Sequence, residues 1–152
     1  MIKHYLGDTN KCWGVSRQTH LPALGDTTGH RINANRVMLQ IEDTELQMQP
    51  GNHGYARRTF DVGEGMAIAG ALTRAATACL MGEPFKTETF ANCFITTENA
   101  EVVLHLQDMV TNGEPWFKLA LPPEHALNMA CMAAQTAVAL IDRIISPAPQ
   151  ED

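Results

Sequence analysis

At 152 residues, with 45% hydrophobic and 18% charged side chains, the chain is long enough to bury about 70% of the surface it exposes when unfolded, and it lies outside the low-hydrophobicity, high-charge range of disordered sequences. A formal net charge of -6 argues against strong nonspecific attraction to nucleic acid or anionic membrane, since both draw on an excess of Lys and Arg. The charge is uneven: up to Ala76 basic and acidic residues nearly balance, whereas from Thr77 onward Lys86, Lys118 and Arg143 face ten acids.

The first eight residues, Met1 to Asp8, contain no apolar run of the kind that forms a secretory signal, so the expected compartment is the cytoplasm. Cys12, Cys79, Cys93 and Cys131 never form a close pair. The spacing therefore predicts neither a zinc ribbon nor a redox dithiol, and Cys79 and Cys131 are expected to pack inside helices. No disulfide, metal or cofactor is expected.

In chain order, Lys11 to Arg17 reads as a strand. Leu21 to Gly29 reads as a loop, rich in Gly, Pro and Asp. Val37, Leu39 and Ile41 alternate as a half-buried strand, and Leu46 and Met48 fall on the opposite parity, which predicts a bulge near Asp43-Thr44. Gly51 to Gly54 supplies a turn. Phe60 and Val62 then lead into a helix over about Glu64 to Met81, stopped by Gly82 and Pro84.

The second half repeats the plan. Thr89 to Thr96 reads as one strand, Glu98-Asn99 as a turn, and Val102, Leu104 and Leu106 as the buried side of the next strand. Thr111-Asn112-Gly113 turns the chain into an arm in which Phe117, Leu119 and Leu121 alternate with Trp116, Lys118 and Ala120. Pro122-Pro123-Glu124 opens a helix that Pro147 ends. Asn128, Gln135 and Asp142 interrupt its apolar run, which identifies a core helix rather than a membrane span. Its expected apolar stripe is Leu127, Ala130, Cys131, Ala134, Val138, Ile141 and Ile145.

The expected fold class is α+β: two similar antiparallel hairpin-plus-helix units in one domain over 1–152, divided as 1–82 and 83–146, with a short tail at 147–152. Val37 to Asp43 aligns with Val102 to Asp108, and Ala75 to Ala78 with Ala134 to Ala137, as an internal duplication would produce. Ala67, Ala69, Ala71, Ala75, Ala76 and Ala78, with Ala130, Ala133, Ala134 and Ala137, allow close approach of each helix to the sheet or to the other helix, or a homodimer through the helices.

Candidate chemistry is sparse. Gly63 to Gly70 follows a strand and opens a helix, but Ile68 and the missing P-loop Lys do not fit a phosphate loop, leaving close helix-to-sheet packing. No serine stands in a nucleophile elbow. His20, Asp26 and His30 flank the 20–30 loop and would gather as a small-ligand pocket if the loop folds back. Trp116 and Lys118 share a strand face. With Trp13, Arg17, Arg57 and Arg58 they form the candidate binding set, an aromatic and basic surface suited to stacking bases and holding phosphates.

The order of strands and helix, repeated twice, resembles the arrangement of PUR and Whirly single-strand-binding domains; the resemblance is one of element order and implies two interlocked repeats. The leading expectation is a non-enzymatic binding, regulatory or inhibitory protein with another protein as partner, as an accessory factor of a bacterial or mobile-element system. One alternative is single-stranded nucleic-acid binding, which the net charge disfavours. The other is a small enzyme or ligand binder using the 20–30 loop.

Overall fold

The computed structural model describes residues 1–22, 31–43, 54–108 and 116–145. They form two antiparallel four-stranded sheets, each followed by a helix. The first sheet runs in order β1 (His4–Tyr5), β2 (Lys11–Pro22), β3 (Arg31–Asp43) and β4 (Tyr55–Asp61), and leads into α1 (Val62–Met81). The second runs β5 (Glu88–Phe90), β6 (Cys93–Glu98), β7 (Glu101–Gln107) and β8 (Trp116–Leu121), and leads into α2 (Pro123–Ile145). The fold is α+β with two similar units.

The alternating triplets occupy equivalent places. Val37, Leu39 and Ile41 on the third strand of the first sheet are buried, as are Val102, Leu104 and Leu106 on the third strand of the second. The two helices carry matching details as well. The Thr77 hydroxyl donates to the Thr73 carbonyl and the Thr136 hydroxyl to the Met132 carbonyl, each one helical turn back.

The helices do not simply cover the sheets they follow. Among the sheets, α2 packs chiefly on β2 and β3 of the first, while α1 packs on β6 and β7 of the second as well as on β3 and β4. The two helices also lie against each other. One buried cluster therefore joins Trp13, Leu39 and Phe60 from the first half with Ile95, Leu104, Met129 and Leu140 from the second. Small residues make this possible: a Cβ on Gly65 would lie 2.8 Å from Val37 Cγ2, so helix and strand meet closer there than any side chain permits. Of the glycines at the start of α1, Gly65 serves helix-to-sheet contact.

Local sequence sets the helix ends. Asp61 caps α1, its carboxylate accepting from the Glu64 N–H at 2.7 Å, so the helix begins two residues before Glu64. Gly82 closes it in the left-handed conformation at φ 66°. Pro123 is the first residue of α2.

Several expectations need correction. Thr89 to Thr96 is two strands, because Asn92 adopts φ 63° and folds Phe90 back onto Cys93. Strand β2 continues through Leu21 and Pro22, which pair with Ile32 and Arg31; ladder pairing carries the strand past the point where Pro22 reads as loop. A register irregularity lies between Gln18 and His20. The bulge expected beyond Asp43 and the turns expected at 51–53 and 111–113 lie outside the described residues.

The stripe on α2 is rotated from the expected one. Ala126, Met129, Ala130, Ala133, Ala137 and Leu140 are buried, whereas Leu127 is 36% and Val138 51% exposed and Cys131 faces outward. Both sets recur at helical spacing. The small residues are the ones that let the helix approach β2, β3 and α1, so close packing outweighs side-chain hydrophobicity in choosing the buried side.

Two stability measurements follow. Met129→Ala or Leu140→Ala should cost ~2 to 5 kcal/mol, and Leu127→Ala, compared at low protein concentration, under ~1 kcal/mol; denaturant midpoints in the reverse order would refute the observed orientation of α2. In the β6–β7 hairpin Asn99 and Ala100 sit at φ 52° and 60°, a turn that favours Asn-Gly. A left-handed alanine costs ~1 to 2 kcal/mol, partly offset by the flexibility of glycine in the unfolded chain. Ala100→Gly should therefore stabilise the protein by ~0.5 to 1 kcal/mol in thermal or denaturant unfolding.

Candidate aromatic interface on the second sheet

Alternation in the second sheet sends Cys93, Ile95, Leu104, Leu106, Phe117 and Leu119 inward. The intervening side chains point out. In the strand register Phe94 stands opposite His105, His105 opposite Lys118, and Gln107 opposite Trp116. The rings meet: Phe94 and His105 stack with centroids 4.0 Å apart and planes 12° from parallel, and Phe94 and Trp116 lie 5.3 Å apart at 53°. Trp116 remains 48% exposed, and Lys118 is exposed beside it. The result is an open platform of three aromatic rings edged by one ammonium group.

Partial burial, and secondarily the charge of Lys118, lowers the pKa of His105 below the ordinary 6.5. The neutral imidazole is thus the form that stacks on Phe94 at neutral pH. Glu98 and Glu101, which pair with each other at the β6–β7 turn, lie at the far end of this face, separated from the rings by the row Thr96, Val103 and Ala120. Those two carboxylates are thereby set one intervening row away from the rings.

The other candidate residues do not join it. Trp13 was expected on a binding surface, but it is 1% exposed. It faces inward opposite Ile41, His4 stacks on its ring at 4.3 Å, and its indole N–H donates to His125 Nδ1 at 3.1 Å. This links β1, β2 and the first turn of α2, which is a structural role. Arg17 shares the inward parity of Trp13 and Val15, and borders a groove beside Met132, Gln135 and Thr136 of α2.

Arg57 lies on the outer face of β4 over the Tyr55 ring, 5.2 Å from its centroid. Arg58 has the opposite parity, and its guanidinium donates to the Asp108 carbonyl at 3.3 Å. Asp108 is buried and its carboxylate accepts the Arg57 backbone N–H at 3.1 Å. It thus occupies the free edge of β4 and joins the sheets next to the Trp116 end of the platform. The aromatic and basic surface expected from sequence resolves into Trp116 with Lys118, a separate Arg57, and three side chains with other surroundings.

His20 lies in β2, paired through its backbone with Asn33, while Asp26 and His30 lie outside the described residues. Among the described residues no three His, Cys, Asp or Glu side chains gather as a metal site, and no helix is long and apolar enough to cross a membrane. The four cysteines are free. Burial pushes the Cys93 thiol up to about 12 and, with help from Glu42, that of Cys12 up to about 11, so neither is a thiolate near neutral pH.

Phe94 and His105 complete the platform, although neither belonged to the candidate set. The signal was the two-residue turn at Asn99-Ala100: it sets Glu98 opposite Glu101, and counting back along both strands sets Phe94 opposite His105.

The lowered pKa of His105 has a sign that can be checked. The unfolded chain binds a proton near pH 6.5, the folded chain only at lower pH, so this group favours the folded state above that window and loses its contribution as pH falls through it. Unfolding followed from about pH 7 to pH 5 should show a loss of stability that is smaller in His105→Phe; an identical pH slope in the variant would show that His105 is not the source.

A scan against protein-family models finds no match, and no curated protein matches the chain. Among solved structures the chain is similar to one titled "Structure of the plant transcriptional regulator PBF-2", with 10% sequence identity and a TM-score of 0.40 over 99% of this chain and 98% of that chain.

Proposed function

We propose that the protein binds single-stranded nucleic acid on the outer face of its second sheet. The observation that carries the reading is the platform itself: Phe94 stacked on His105 and in contact with Trp116 on the outer sheet face, with Trp116 half exposed and Lys118 alongside. Exposed stacked rings on a sheet are costly to leave bare and suit unpaired bases, whose π-faces stack without regard to sequence. A duplex hides those faces, so the preferred ligand is single-stranded. Lys118 supplies a phosphate contact, and Arg57, at the edge of the first sheet next to Asp108, is the nearest candidate for a second.

The formal charge of -6 is compatible with this reading because stacking rather than counterion release supplies the affinity. Binding through one or two phosphates should weaken only gently with salt, with a log–log slope of roughly -0.7 to -1.4.

The two tryptophans provide the test. Trp13 is buried, so quenching of tryptophan emission on titration with a short oligothymidylate reports Trp116. Trp116→Ala should weaken binding ~5- to 100-fold, the span of one base-stacking contact, as measured by fluorescence anisotropy of labelled oligonucleotide. Duplex of the same length should compete poorly. Absence of binding by the unaltered protein, unchanged affinity in the variant, or equal affinity for duplex would overturn the proposal.

A further inference from the structure

The two similar units can be matched residue by residue through their third strands, where Val37, Leu39 and Ile41 hold the places of Val102, Leu104 and Leu106. Gln40 then corresponds to His105 and Glu42 to Gln107. Strand register carries the match to the fourth strands: Gln40 pairs with Arg57 and Glu42 with Tyr55, as His105 pairs with Lys118 and Gln107 with Trp116. Tyr55 is therefore the first sheet's counterpart of Trp116, and Arg57 that of Lys118. In both units a ring and a cation two residues further on point outward from the last strand before the helix.

The pair in the first sheet is already assembled. The Arg57 guanidinium lies over the Tyr55 ring at 5.2 Å from its centroid, and its buried Nε has no acceptor among the described residues. A guanidinium on a ring offers a flat cationic surface to a base and N–H donors to a phosphate. The charge of Glu42, beside Tyr55, is balanced by Lys3 at 3.0 Å. The remaining positions differ between the sheets. Gly14 stands where the second sheet has Phe94, and a Cβ there would collide with the Met1 sulfur, so Met1 fills the place of that ring. Only the ring and its cation recur, which suits one base rather than a row of them.

The two pairs also adjoin. The Arg57 N–H donates to Asp108, the residue after Gln107, and Gln107 pairs with Trp116. That path keeps the Arg57 and Trp116 backbones within roughly 20 Å of each other, a length that a few nucleotides span. Resting on the reading of the Trp116 platform as a single-strand site, we infer that the same strand continues onto the first sheet, where one base stacks on Arg57 and Tyr55. Continuity with the platform selects this ligand, and the guanidinium suits its charge.

Oligothymidylates of two lengths separate the subsites. A strand of roughly 4 nucleotides, the short end of known single-strand sites, covers the platform alone, and one of roughly 12 reaches both. Tyr55→Leu should weaken binding of the longer strand ~5- to 100-fold and leave the shorter one unchanged, by anisotropy of labelled strands. The unchanged short-strand affinity also shows that the variant is folded. Trp116→Ala should weaken both. In the unaltered protein, a long strand carrying 5-iodouracil should photocrosslink to Tyr55, mapped by peptide mass spectrometry. Unchanged long-strand affinity in Tyr55→Leu, equal weakening at both lengths, or no crosslink at Tyr55 would overturn this inference and leave the platform reading standing. Failure of the unaltered protein to bind either length would overturn both.

Discussion

The close approach of small-residue helices to strands is the constraint on which the rest of the structure depends. Gly65 lies against Val37 at a distance that excludes any Cβ, and Ala71, Ala75 and Ala76 on α1, with Ala126, Ala133 and Ala137 on α2, are fully buried. Ala and Gly contribute little transfer free energy of their own. Their value lies in bringing backbones together, so that Phe60, Leu72, Ile95, Leu104, Met129 and Leu140 fill one continuous interior. Because each helix reaches the sheet of the other half, neither half closes its core alone.

That exchange also decides where chemistry can occur. With both helices stacked on the inner faces, the outer face of the second sheet is left open around Trp116 and Lys118, and the turn at Asn99-Ala100 aligns Phe94, His105 and Trp116 on it. Asp108 blocks the edge of β4 beside this face by taking up a backbone N–H that would otherwise invite another strand. The same arrangement commits Trp13 to the interior, where His125 satisfies its indole nitrogen and His4 covers its ring. The two tryptophans thus have opposite surroundings, one joining the halves and the other presented to solvent.

Patterning made the strand faces legible. Alternation of Phe117, Leu119 and Leu121 with Trp116 and Lys118 assigned inside and outside correctly, and the parallel between Val37, Leu39, Ile41 and Val102, Leu104, Leu106 matched equivalent strands. It failed where two answers satisfy the same period. On α2 the series Leu127, Cys131, Val138 and the series Met129, Ala133, Ala137, Leu140 both read as stripes, and preferring the bulkier residues chose the outer one. For Trp13, Arg17, Arg57 and Arg58 no local signal distinguishes a surface position from a buried or seam position. Their surroundings come from α2, Tyr55 and Asp108, elements distant in the chain or in another strand.

By itself, then, the sequence determined most of the elements and their order: strand faces from period-two alternation, the end of α1 from Gly82, the start of α2 from Pro123, and a second half likened to the first. Those properties rest on interactions between residues a few positions apart, which local pattern encodes. Tertiary structure alone decided that the helices exchange sheets, which side of α2 is buried, and which aromatic residues meet. Each of these outcomes depends on how closely distant backbones can approach and on strand register, and neither quantity is carried by any one segment.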